Sequence, residues 1–196
     1  MSGLHSIAKT DQKRWDRFLQ EVDLSKTLFI TGLEPGLNKW LRETLASVKM
    51  TTPHILNTEG PFVLDVYDST LRNLVHVIVR EQIEAIAIVG LKNDASKRLD
   101  AVNLFHQLKN HGISENQLKQ MEYLLAHSYM NHLINSIVEW LQPFHEVGKG
   151  IDQTIKVLKS HPLIDSNLMI ERFIIQMMDS SSMEISDGTY LKRIDN

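Results

Sequence analysis

The sequence predicts an α/β protein in three layers, with a central, mostly parallel sheet of four or five strands flanked by helices. Apolar runs rich in β-branched residues alternate along the chain with helical stretches, which is typical of a doubly wound parallel sheet. Two of these runs break at a glycine, at Gly32 and Gly90. That pattern indicates buried parallel strands whose carboxyl ends deliver their next residues to a site at the edge of the sheet.

The N-terminal half is predicted to alternate between helices and strands. A first helix is capped by Asp11, and its apolar stripe is Trp15, Phe18, Leu19 and Val22. Strands are predicted over residues 27–31, 53–57 and 83–90. Between them lie a helix over residues 36–48 and a second helix that begins after a cap at Asp68 or Ser69.

The C-terminal half is predicted to be mainly helical, with a last strand near its end. An apolar stripe from Leu99 through Val102 to Leu108 predicts a helix that stops near Gly112. Ser114 and Gln117 match a capping box and open one long helical pattern that ends before Pro143. A further helix covers residues 147–158, a strand covers 168–177, and 180–182 form a turn into a short edge segment.

Composition limits the classes of function. A chain of 196 residues with 42% apolar content predicts one domain over residues 1–196, divided into an N-terminal arm (1–25) and a core (26–190). The net charge of −3 gives no electrostatic reason to expect nucleic acid or an anionic membrane as a partner. No stretch approaches the ~20 apolar residues of a membrane span, and no signal peptide is evident. The absence of cysteine excludes disulfides, thiolate nucleophiles and Cys-ligated zinc, and favours a cytoplasmic protein.

The loops that follow the two glycines carry the most information about function. Their sequences are Gly32-Leu33-Glu34-Pro35-Gly36-Leu37 and Gly90-Leu91-Lys92-Asn93-Asp94. In this order and context they resemble the loops of the β-class carbonic anhydrases, which carry G-C-x-D-S-R after the first strand and H-x-x-C after the third. Aligned on the glycines, the family's Cys, Asp, Ser and Arg fall on Leu33, Pro35, Gly36 and Leu37, and its His and second Cys fall on Leu91 and Asp94.

Weaker matches extend the resemblance over residues 26–190. Asn57 keeps the Asn of the family's R-N-A-G turn, and residues 69–74 resemble the start of the family helix that leads into the third strand. Residues 150–164 resemble the family's helix with its S-P-L-I exit, and Asp179 falls near an Asp-containing turn that joins the last two strands. In the resembled family the N-terminal helix packs across a partner subunit. The resemblance therefore implies a homodimer or higher homo-oligomer with Trp15 and Phe18 at its interface; the alternative is that this helix covers its own domain.

The resemblance also implies which chemistry has been lost. The family holds zinc with two thiolates and an imidazole, and the zinc-bound hydroxide attacks carbon dioxide. Here only Asp94 retains a group able to bind the metal, so we expect no metal, no cofactor and no catalytic residue. The predicted vestigial pocket comprises Leu33, Glu34, Pro35, Gly36, Leu37, Asn57, Leu91, Lys92, Asn93 and Asp94. Leu33 and Leu91 are expected to seal it by packing. The leading interpretation is a catalytically inactive protein with a structural or interaction role.

Two alternatives stay open at this stage. One is an enzyme, either a carbonate dehydratase with an unusual ligand set or another metal-dependent enzyme. Its candidate ligands are Glu34, His54, Glu59 and Asp94, and a pair of carboxylates would suit magnesium or manganese better than zinc. The other alternative is a small-molecule or anion sensor, in which free N–H groups after Glu34 and the charge of Lys92 bind the ligand.

Overall fold

The computed structural model describes residues 9–48, 53–58, 60, 62–63, 68–92, 100–127, 134, 136–178 and 182–186. The strands are β1 (Thr27–Gly32), β2 (His54–Thr58), β3 (Ala85–Leu91), β4 (Met169–Met178) and β5 (Ser182–Ser186). The helices are α1 (Lys9–Glu21), α2 (Pro35–Val48), α3 (Ser69–Arg80), α4 (Ala101–Asn110), α5 (Glu115–Ala126), α6 (Ile137–Leu141) and α7 (Val147–Ser160). No described helix has the length and apolar character needed to cross a membrane.

The five strands form one sheet in the order β2-β1-β3-β4-β5. The pairs β1–β2, β1–β3 and β3–β4 are parallel, and β5 runs antiparallel to β4 at the edge. The predicted α/β class with a mostly parallel sheet is therefore confirmed. The predicted turn at 180–182 and Asp179 fall mainly outside the described residues, since 179–181 are not among them.

The sheet is buried between two helical layers because its strands are apolar on both faces. Alternate residues of β1 point to opposite faces, so Phe29 joins one core while Leu28 and Ile30 join the other. We call the first side the α1/α2 face, where Trp15, Phe18, Leu37, Leu41, Leu45, Ala87 and Phe173 meet. We call the second the α3/α7 face, where Leu71, Leu74, Ile86, Ile88, Ile151, Leu158 and Ile174 meet.

Helix α1 belongs to the chain's own core. Trp15 is 1% exposed and Phe18 is 4% exposed, and both rings contact Phe29 and Phe173. Arg14 pairs with Glu171 on β4 and holds the helix to the sheet from outside. Within the single chain this helix therefore covers its own domain, as the alternative expected, and the place of Trp15 and Phe18 at an oligomer interface stays a prediction. The helix already includes Lys9, so the prediction that Asp11 caps it is also wrong.

Helices α4, α5 and α6 form a third, smaller core of their own. Its buried members are Leu104, Leu118, Leu125, Ile134 and Ile137. The capping box of Ser114 and Gln117 is confirmed. The single long helix predicted beyond it is wrong, because α5 ends at Ala126 and α6 begins after a new cap, where the Ser136 hydroxyl accepts from Glu139 N at 3.1 Å. Val102, predicted on the apolar stripe of α4, is 78% exposed.

Candidate functional site

The candidate site lies where β1 and β3 end side by side. Thr31 pairs with Val89 in the parallel register, so Gly32 lies level with Gly90 in the next strand. On its other side Gly32 pairs with Thr58 of β2. The carboxyl ends of these three strands therefore meet at one edge of the sheet, where ligands of open α/β proteins bind.

The two leucines at the expected metal-ligand positions differ in their surroundings. Leu91 is 4% exposed and packs in the core of the α1/α2 face, together with Leu37. Leu33 is 59% exposed and points away from both cores. The expectation that both leucines seal an emptied site is therefore wrong for Leu33. The sequence shows that residue 33 is apolar, but it does not show in which direction the side chain points.

Glu34 occupies the strand end instead of Leu33. Its carboxylate folds back so that a Cβ added to Gly32 would lie 2.0 Å from Oε2 and 2.9 Å from Cδ. Leu28 and Ile30 point to the α3/α7 face, so the same alternation directs a Cβ of Gly32 to that face. Within the described part of the chain, Glu34 Oε2 is buried with no hydrogen-bond partner. The absence of a side chain at Gly32 is what lets this carboxylate lie there.

Asn38, which the sequence analysis missed, fixes the loop between β1 and α2. Its Nδ2 donates to the Gly32 carbonyl at 2.8 Å and to the Glu34 carbonyl at 3.1 Å, so it holds the backbone on both sides of Leu33. The sequence signal was a single amide side chain in the first turns of a helix, a residue type that bonds to nearby backbone. Pro35 is exposed and Gly36 is half-buried at the start of that helix.

The segment after β2 is attached to α7. The Val63 N–H donates to Thr154 Oγ1 at 2.8 Å, and Phe62 lies so close to Gly150 that a Cβ there would be 2.3 Å from its ring. Thr154 was also missed; its signal was one polar residue on the otherwise apolar stripe of α7. Asn57, predicted in the pocket, is exposed, so its amide is not part of the buried strand end.

The described residues provide no metal-binding constellation. No group of three or more His, Cys, Asp or Glu able to hold a metal occurs among them. His54 lies at the amino end of β2, where its Nε2 is 3.1 Å from the Ser25 carbonyl oxygen, and so it is at the opposite edge of the sheet from Glu34. Predicted pocket residues Asn93 and Asp94, and the candidate ligand Glu59, lie outside the described residues.

The site is also unsuited to an anion. The Glu34 carboxylate lies beside the start of α2, where an anion would have to bind, and its negative charge opposes one. Lys92 is exposed, and its backbone N–H extends the sheet by donating to the Ile175 carbonyl at 2.7 Å. These contacts weaken the anion-sensor alternative.

Comparison with known proteins gives related sequences and a shared fold. No family model matches the chain. The carbonic anhydrase-like protein YbcF of Bacillus subtilis is 24% identical over 152 residues, covering 76% of this chain and 81% of YbcF. YvdA of the same organism, named as a candidate carbonic anhydrase, is 21% identical over 193 residues, covering 98% of this chain and 93% of YvdA.

Solved structures show the same architecture. The β-carbonic anhydrase isoform I of Trichomonas vaginalis superimposes with a TM-score of 0.63 at 15% identity, covering 92% of this chain and 97% of that one. The carbonic anhydrase of Streptococcus mutans gives a TM-score of 0.55 at 17% identity, covering 91% and 94%. A carbon disulfide hydrolase gives 0.54 at 14% identity, covering 85% and 84%, so this fold alone does not determine the reaction. Fold and sequence similarity together identify this cysteine-free chain as a divergent relative of the β-class carbonic anhydrases.

Proposed function

We propose that this protein is a catalytically inactive relative of the β-carbonic anhydrases, retained for a structural or interaction role. The observation that carries the proposal is the complete absence of cysteine, combined with leucine at two of the three positions where the resembled family holds its zinc. Catalytic zinc needs three protein ligands and an open position for water. Leucine offers no lone pair to a metal, so at most one ligand position, Asp94, remains.

The buried environment of Leu91 supports the same conclusion. Its side chain is part of the α1/α2 core, so the space of the family's imidazole is filled by packed hydrocarbon. Glu34 is a carboxylate near the strand ends, but one carboxylate does not supply a catalytic zinc site. The enzyme alternative, hydration of carbon dioxide with a non-standard ligand set or another metal-dependent reaction, has no supporting constellation in the described residues.

The experiment is a metal count paired with a hydration assay. Tag-free protein made in zinc-supplemented medium would be analysed by elemental mass spectrometry, and carbon dioxide hydration would be followed by stopped flow with a pH indicator. We expect far less than one metal per chain and a rate equal to that of buffer. About one tightly held metal per chain, or hydration above buffer that a chelator abolishes, would overturn the proposal. In that case Glu34→Ala and Asp94→Ala would identify the ligands.

We further propose a homodimer or higher homo-oligomer in the cytoplasm, without nucleic acid or membrane as partner. Large apolar side chains exposed on α4, α5 and α6 support self-association: Val102, Tyr123, Leu124 and Trp140. Sedimentation velocity would test this, with Trp140→Glu as the variant and Trp15→Phe as a control confined to the core. A monomer for the unaltered protein at micromolar concentration would contradict the assembly.

A further inference from the structure

We propose that the Glu34 side chain is a gate, with a closed and an open position, over a notch at the carboxyl ends of β1 and β3. The notch is the space on the α3/α7 face beside Gly32 and Gly90, two glycines at the same level of neighbouring strands. Neither residue has a side chain, and Thr58 flanks Gly32 on the other side. The preceding positions of the same strands on this face carry the buried side chains of Ile30 and Ile88, whereas Gly32 and Gly90 contribute none.

In the closed position the chain's own carboxylate fills this space. A Cβ at Gly32 would lie 2.0 Å from Glu34 Oε2 and 3.1 Å from Oε1, so the carboxylate is where a side chain of that strand would begin. Within the described residues, Oε2 is buried and accepts no hydrogen bond.

The closed position is costly, which gives the side chain a reason to leave. A buried carboxylate oxygen without a donor loses its hydration and gains nothing in exchange. The preceding residue, Leu33, has the opposite misfit, because its apolar side chain is 59% exposed to water. Local conflicts of this kind concentrate at functional sites. One carboxylate oxygen of the half-buried Glu34 is inside and the side chain of Leu33 is outside, at the edge where this fold class binds its ligands.

The surrounding loop is fixed, so the motion is confined to side-chain torsions. Asn38 Nδ2 holds the Gly32 and Glu34 carbonyls at 2.8 and 3.1 Å, and Leu37 anchors the first turn of α2 in the core. Rotation about the Glu34 side-chain bonds then moves the carboxylate into water without moving the backbone. The open position bares the glycine floor of the notch, with the Thr58 hydroxyl, which donates to the Gly60 carbonyl, as a polar group at the same level.

The structure also provides a substitution that should trap the open position. Gly32 is not among the described glycines with a positive φ, which are Gly60 and Gly112, so its backbone tolerates alanine. The three atoms that a new Cβ would meet most closely all belong to the flexible end of Glu34. Gly32→Ala therefore displaces the carboxylate, and Glu34→Ala removes it. Gly148→Ala is a matched control, because its Cβ would meet Ile174 Cδ1 at an ordinary 3.5 Å.

Three-bond scalar couplings of the Glu34 side chain in the full chain test the gate, because they report averaging between rotamers even when side-chain exchange is fast. We expect averaged couplings in the unaltered protein and in Gly148→Ala, and a different rotamer population in Gly32→Ala. Gly32→Ala and Glu34→Ala should both move the Thr58 and Gly90 resonances in the same direction, because each removes the carboxylate from the closed position. Couplings of a single rotamer in the unaltered protein, or couplings that Gly32→Ala leaves unchanged, would overturn the proposal. The readout is motion rather than turnover or metal content, so its outcome is separate from that of the proposed function.

Discussion

Replacing Thr154 by valine removes one hydroxyl from the interior and changes little in shape. Thr154 is fully buried on α7, and its Oγ1 accepts a hydrogen bond from Val63 N at 2.8 Å and donates to the Gly150 carbonyl at 3.0 Å. The first of these bonds connects the segment after β2 to α7. The substitution therefore tests how that segment is held beside the strand ends.

The size of the effect follows from what is left unpaired. Val63 is 0% exposed, so its N–H would remain buried without this acceptor, at a cost of about 1–3 kcal/mol. The Gly150 carbonyl lies within α7 and keeps its helical surroundings. The loss of the hydrogen bond that it accepts from Thr154 therefore adds little to the cost. We expect Thr154→Val to lower the free energy of unfolding by about 2 kcal/mol. For a chain of this size that corresponds to a fall in Tm of about 4–8 °C.

Urea unfolding followed by circular dichroism measures this difference, with differential scanning calorimetry for Tm. Thr154→Ser is the matched control, because it keeps the hydroxyl and loses one methyl group, at about 1 kcal/mol or less. A Thr154→Val variant within about 0.3 kcal/mol of the unaltered protein would refute the reasoning. The same conclusion would follow if the serine variant were as unstable as the valine variant.

Three further predictions concern capping, pH and the site leucines. Ser114→Ala removes the capping box of α5 and should lower the free energy of unfolding in urea by about 1 kcal/mol. An unchanged free energy of unfolding would show that the cap does not stabilise the protein. The hydrogen bond and charge of Lys119 hold the pKa of Glu115 below its ordinary value, so this pair contributes stability at neutral pH that is lost as pH falls below about 4.5. Stability profiles from pH 7 to 3 should therefore fall less steeply for Glu115→Gln, and parallel profiles would contradict this. Leu33→Asp should change Tm by less than about 2 °C, because the side chain is already exposed. Leu91→Asp should lower the free energy of unfolding by about 3 kcal/mol or more, or prevent folding, because it buries a carboxylate. Equal effects of the two substitutions would contradict the difference in burial between the two leucines.

Strands and layers were predictable because a strand that is buried on both faces is a run of mainly apolar residues in the sequence. The run before Gly90 is apolar at every position, the run before Gly32 carries threonine at both ends of an apolar centre, and each forms a fully buried parallel strand. The cap at Asp68 was predictable for the same local reason, since its side chain accepts from Thr70 N at 2.7 Å. Such features depend on residues close together in the chain, and so periodicity and capping chemistry determine them.

Features that depend on distant contacts were not predictable in this way. The stripe on α1 showed that Trp15 would be buried but not whether its own sheet or a partner would cover it. At the site, Leu33 and Glu34 follow Gly32 in order, and only the tertiary packing decides which of them turns inward. The break after α5 is different, because Ser136 followed three residues later by Glu139 is a helix-start pattern that the longer apolar stripe obscured.

The separate core of α4, α5 and α6 means that the molecule need not open all at once. Units with their own small core can unfold locally while a larger sheet remains intact. Backbone amides of α4 and α5 should then exchange with deuterium through a partial opening, whereas those of β1 and β3 should exchange only through global unfolding. A partner that binds these helices would slow exchange there and leave the sheet unchanged. Deuterium uptake would in this way locate a binding partner's footprint before the partner's own structure is known.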